Sequence, residues 1–230
     1  MATIETQPET VSGAWERAHG GVSLKRGFYM LAGKRIFDSV IAALGLVLLS
    51  PLLLLTVAIS KLSSRGPIFY RQDRVGKGGQ TFSIVKFRTM TVNADQTGPG
   101  ITVRGDQRIT TFGRALRSLK IDELPQLWNV VKGEMSLVGP RPELPCYVAG
   151  YNDLERNILS IRPGITDAAS LLYRHEEQVL ARASDPEKYY RNIVLPHKLT
   201  LNLEYLSRAS FVYDLSLIFR TLGSLFRAST

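Results

Sequence analysis

Two adjacent carboxylates, Asp122 and Glu123, stand in a stretch where basic residues dominate. Residues 61–141 hold fourteen Lys/Arg against six Asp/Glu, whereas residues 1–60 hold five against four and residues 142–230 ten against ten. The formal net charge of +9 therefore resides almost wholly in the middle block. Such a concentration suits an anionic partner, whether lipid headgroup, nucleotide diphosphate or nucleic acid. A carboxylate among these cations is favoured in its ionised form. In that form it can attack as a nucleophile, or hold a divalent metal that relieves its repulsion with an incoming diphosphate. Lys86, Arg88, Arg117 and Arg141 are candidates to neutralise diphosphate oxygens in a crowded transition state. Arg141, held between Pro140 and Pro142, could alternatively pair with Glu134 or Glu143.

The elements that must position these groups are readable around them. Thr110 to Leu119 is predicted helical, with Arg114, Arg117 and Lys120 along one side. A second helix is predicted from Asp122, with Leu124, Leu127, Trp128 and Val131 facing the core. Asp122-Glu123-Leu124-Pro125 also reads as an ordinary helix start: an aspartate N-cap, an acidic first turn and a proline tolerated there. A helix end at this place would favour the carboxylate anion and offer N–H donors to phosphate. Upstream, Ile68–Val75 and Thr81–Met90 predict a β-hairpin about the turn Gly76-Lys77-Gly78-Gly79. Residues 91–107 read as loop.

One apolar run bears on compartment. Ser39 to Ser60 is 22 residues without a formal charge. As a helix it would reach about 33 Å, against about 30 Å of hydrocarbon. Pro51 near its middle removes a backbone donor and bends it, and Ser50 beside it can satisfy the freed carbonyl. Lys34 and Arg35 precede the run and Lys61 and Arg65 follow it, so neither end looks like the outside. These features predict a re-entrant helix that dips into the bilayer and returns. The alternatives are a buried core helix and a signal peptide, although the run is long and starts late for the latter. The single cysteine, Cys146, reads as a buried or idle thiol, and the three histidines lack metal-ligand spacing.

Several ordered motifs together resemble the monotopic polyprenyl-phosphate phosphoglycosyl transferases, or bacterial sugar transferases. They are KRIFD at 34–38, Ser50-Pro51, KFRTM at 86–90, LRSLKIDELPQLWNVVKGEMSLVGPRP at 116–142 and RPGIT at 162–166. The resemblance implies a compact α/β domain lying on the cytoplasmic face of the bacterial inner membrane, anchored by a re-entrant helix broken at Ser50-Pro51. It implies that Asp122 attacks the sugar-linked phosphorus of a UDP-sugar, releases UMP and forms a covalent intermediate, from which polyprenyl phosphate takes the sugar phosphate. Mg²⁺ is expected at Asp122, Glu123 is expected to act as base or orienter for the lipid acceptor, and Arg162 joins the candidate substrate-binding residues. Where many members continue the RPGIT motif with glycine, this chain has Asp167, which reads either as a selectivity residue or as an N-cap.

The expected organisation is a mobile arm over 1–33, the membrane helix over 34–65, a small mixed α/β catalytic domain over 66–196 and amphipathic helices over 197–230. Those last helices suit the lipid interface, the domain surface or a second subunit, and a homodimer is compatible with the pattern. The rival reading is a membrane-tethered, non-catalytic protein gripping anionic lipid or nucleic acid. It calls for aromatic platforms among the basic residues. Phe69, Tyr70, Phe82, Phe87, Phe112 and Trp128 fall at apolar strand or helix positions instead, so no nucleic-acid partner is expected.

Overall fold

The computed structural model describes residues 29, 33–94, 98 and 100–226. The expected arm over 1–33 lies outside them except at Tyr29 and Gly33. The elements run α1 (Lys34–Leu48), α2 (Ser50–Ser63), β1 (Phe69–Val75), β2 (Thr81–Phe87), α3 (Thr111–Ser118), α4 (Gln126–Lys132) and β3 (Ser136–Val138). There follow α5 (Pro145–Val148), α6 (Asp153–Arg156), β4 (Gly164–Thr166), α7 (Ala168–Leu172), α8 (Glu176–Leu180), α9 (Pro186–Tyr189), α10 (Leu195–Arg208) and α11 (Phe211–Phe226). The fold is thus a small mixed α/β domain, with the expected hairpin formed by β1 and β2 in register from Phe69↔Phe87 to Val75↔Thr81.

The apolar run is two helices, bent by 59° at the break. Pro51 has no N–H to give to the carbonyl of Val47, four residues back, and the Ser50 hydroxyl donates to that carbonyl at 2.7 Å instead. No single described helix is long and apolar enough to cross a membrane, whereas the bent pair together meets that test. One face of α1 buries Lys34, Asp38 and Ala42, while Ile36, Val40, Leu44, Val47 and Leu48 are exposed. An apolar face turned outward on this scale marks a surface meant for lipid or protein.

The buried face explains the KRIFD motif. Lys34 forms an ion pair with Asp214 of α11, Tyr205 donates to the same carboxylate at 2.7 Å, and Ser136 donates to Asp38 at 2.5 Å. Arg35 donates to the carbonyls of Val130 and Val131 at the end of α4. Paired and hydrogen-bonded, these charges can be buried without the cost an isolated one would carry. They fasten α1 to β3, α4 and α11 around a core of Ala42, Ile84, Val130, Met135, Val138, Tyr205 and Leu217. A second core gathers Tyr147, Tyr151, Leu180, Tyr190, Leu199 and Leu203, so α10 packs on the domain itself. On α11, Val212, Phe219 and Leu222 remain exposed. Cys146 is free and exposed rather than buried.

Two sequence expectations fail at α4. The helix begins at Gln126, and Ile121–Glu123 is a separate 3₁₀ turn. Lys120, in the left-handed region at φ 56°, ends the preceding chain direction, and Pro125 can enter a helix only at its start. Trp128 is 54% exposed, whereas Gln126 and Asn129 are buried. The helix turns a polar pair inward because Asn129 is needed there: its amide donates to the Ser83 carbonyl and its oxygen accepts from Val85 N–H.

Candidate active site

Asp122 is 6% exposed, and its Oδ1 has no hydrogen-bond partner among the described residues. Buried polar atoms are nearly always bonded, so an orphaned carboxylate oxygen marks a place where something else completes the site. Its neighbour is the opposite case. Glu123 accepts from both guanidinium arms of Arg141, Nη1 at 3.2 Å and Nη2 closer still, and from Lys86 Nζ at 3.1 Å. The two carboxylates are neighbours in sequence, one engaged through both oxygens and the other with its Oδ1 unpartnered among the described residues.

The positions of these groups follow from backbone fastenings. Asn129 bonds β2 on either side of Ile84, which places Lys86 over the 121–123 turn. The loop carrying Arg141 is tied at almost every peptide. Gly139 N–H donates to Thr166, Pro140 accepts from Gly164, Arg141 N–H donates to Asp167 Oδ2 at 2.9 Å, and Pro142 accepts from Arg74. β3 and β4 run parallel here, and a Cβ on Gly164 would lie 2.1 Å from Gly139 N. Glycine at both positions lets the strands close enough to hold the loop. Asp167 also caps α7 by accepting from Ser170 N–H, so the N-cap reading is the one the structure displays.

The electrostatics differ from the sequence expectation. Burial, and next the charge of Glu123, raise the Asp122 carboxyl above its ordinary value, while Lys86, Lys120 and Arg117 pull it back. There is no long helix directly at Asp122 to favour the anion, because α4 starts four residues later. Burial would also raise Glu123, but Arg141, Lys86 and Lys120 hold it well below the usual carboxylate range. A carboxylate held that low is a poor proton acceptor. Burial brings the Lys86 ammonium down to about 8, with Glu123 opposing.

The other sequence candidates are not all gathered here. Arg117 acts on the Asp122 charge from α3, with its guanidinium bonded to Glu177 at 2.8 Å and Thr89 at 3.1 Å. Arg88 turns to the end of α2, donating to the Arg65 carbonyl and Ser64 hydroxyl. Arg162 donates to the carbonyl of Gly133, at the far end of α4 from Asp122. Asn129, and Gln126 with its buried Nε2 without a partner among the described residues, are not singled out by the sequence. Polar residues on an otherwise apolar helix were the signal for them.

A carboxylate oxygen without a partner thus lies beside cations fastened in place, in a small α/β domain. The chain belongs to the bacterial sugar transferase family, whose model matches residues 29–228. It is 37% identical over 197 residues to the UDP-N-acetylgalactosamine-undecaprenyl-phosphate N-acetylgalactosaminephosphotransferase of Aeromonas hydrophila, covering 84% of this chain and 43% of that protein. It is 38% identical over 203 residues to the UDP-glucose:undecaprenyl-phosphate glucose-1-phosphate transferase of Caulobacter vibrioides, covering 84% of this chain and 69% of that one. The exopolysaccharide production protein ExoY of Sinorhizobium fredii is 38% identical over 174 residues, 69% of this chain and 77% of its own length. The chain thus spans less than half of the Aeromonas relative and more than two thirds of the other two.

Proposed function

We propose that this protein transfers a sugar phosphate from a UDP-sugar to polyprenyl phosphate, through a covalent intermediate on Asp122. The observation that carries the reading is the buried Asp122 oxygen without a partner, beside a Glu123 already saturated by Arg141 and Lys86. In the first step an Asp122 oxygen attacks the sugar-linked phosphorus, the bond to the leaving phosphate breaks, and UMP departs with that electron pair. In the second, an oxygen of polyprenyl phosphate attacks the same phosphorus and the Asp122 carboxylate is released. Arg141 and Lys86, held by Glu123, supply positive charge at fixed places without reorganisation. Glu123 keeps them there, and the acceptor phosphate, with a second pKa of about 6, needs little help from a base.

The orphaned Asp122 Oδ1 fits a ligand for Mg²⁺. Among the described residues no three His, Cys, Asp or Glu side chains gather, so diphosphate oxygens and water would complete the shell. When bound, that ion supplies charge that offsets repulsion between Asp122 and the diphosphate.

The bent pair α1–α2 supports a re-entrant anchor in the cytoplasmic membrane, with the domain on the cytoplasmic face where nucleotide sugars are available. The ordering of a basic domain behind such an anchor favours the anionic headgroup side. The full-length protein, given labelled UDP-sugar and polyprenyl phosphate, should release UMP in a magnesium-dependent reaction. Release of UDP would refute the assigned chemistry.

A further inference from the structure

Where α2 ends, a cavity of about 540 Å³ opens between that helix end, the chain after β2 and the start of α3. Ser60, Arg88, Thr110, Thr111, Phe112 and Ala115 are among the residues lining it. The hydroxyl of Ser60 carries the argument. This residue is 7% exposed, and its Oγ has no partner among the described residues. In the same helix pair Ser39 and Thr56 donate to the carbonyl four residues back, each at 2.8 Å. That is the ordinary resort of a hydroxyl in an apolar helix. Ser60 does not take it, which leaves a buried polar atom unmatched unless a ligand meets it.

The rest of the lining is suited to an anion. Arg88 donates to Arg65 and Ser64 but pairs with no carboxylate among the described residues. Thr110 spends its side chain on capping Gly113, so the Thr111 and Phe112 amides at the start of α3 have no acceptor among the described residues. A cation, hydroxyls and free helix-start amides together match a phosphate. The volume exceeds one phosphate and leaves room for the first carbons of its ester. Leu55, Ile59 and Leu62, exposed on α2 just ahead of the cavity, would accompany those carbons into an apolar phase.

We propose that this cavity binds the phosphate ester of a membrane lipid where α2 leaves the bilayer, separately from the Asp122 site. The proposal rests on the membrane reading of α1 and α2. Its test uses the full chain in a neutral detergent, titrated with dihexanoyl phosphatidic acid, dihexanoylglycerol and a short-chain polyprenyl phosphate. Binding is read by native mass spectrometry, and UMP release is measured on the same preparations. Phosphatidic acid should bind and dihexanoylglycerol should not. Ala115→Trp, which fills the cavity from an exposed position, and Ser60→Leu should each weaken that binding by about tenfold or more. Competition by polyprenyl phosphate would make the carrier the occupant; its failure to compete would assign the site to a glycerophospholipid headgroup. Equal binding of the neutral lipid, or undiminished binding to Ala115→Trp, overturns the proposal. If UMP release persists in that outcome, the catalytic reading survives; lipid bound without UMP release condemns the catalytic reading alone.

Discussion

Two neighbouring carboxylates in one chain have opposite fates because their surroundings differ, and each difference has a measurable consequence. Asp122→Asn should remove the covalent phosphosugar adduct and lower turnover by at least about 10³-fold, as loss of a nucleophile does. An adduct surviving in that variant would take Asp122 out of the role. The same substitution should raise the melting temperature at neutral pH. The folded-state pKa of Asp122 is raised, so folding is favoured by its proton below the ordinary carboxylate range and loses that contribution as pH rises through the raised value. Asparagine carries no such penalty, and the gain should therefore vanish in acid. On the proposed reading activity needs Lys86 charged, so its alkaline limb should lie near the Lys86 value of about 8. Lys86→Arg should move that limb upward.

At the scale of elements, the site is held by parts that never meet the reacting atoms. Asp167 ties the Arg141 peptide to the start of α7 through two N–H groups. Asp167→Ala should cost about 1–3 kcal/mol in denaturant unfolding, from the lost cap and the unpaired amides. It should also release Arg141, letting the Glu123 carboxyl rise toward its usual range and lowering kcat by about tenfold. Asp167→Asn, which keeps one acceptor, should recover part of both, and equal losses in the two variants would mean that only folding is involved.

The whole molecule turns on the break between α1 and α2. Lys34 and Arg35 are locked to Asp214 and α4 at one end, and Ser64 is bonded to Arg88 at the other. Both ends of the pair are thereby anchored to the same domain. With Cys146 replaced by serine, thiol labelling of Gly33→Cys and Arg65→Cys in intact membranes should report the same side. Opposite sides would rule out re-entry. Pro51→Ala restores the missing donor to Val47, and should reduce the 59° bend and the catalytic yield together.

The amino-acid order alone was enough for the hairpin, the break at Pro51, the helix carrying Arg117, and the concentration of basic residues around Asp122 and Glu123, because each is a local pattern. Period, proline chemistry and charge density act over a few neighbours and need no knowledge of the far chain. The tertiary structure alone decided which of two adjacent carboxylates is free, that Arg141 serves Glu123 rather than Glu134 or Glu143, and that Arg88 and Arg162 turn elsewhere. It also decided the direction of the Asp122 shift, since desolvation depends on what covers a group. Those outcomes are set by contacts between β2, α4, β3 and β4, whose residues lie far apart in sequence, and no local rule weighs burial against charge.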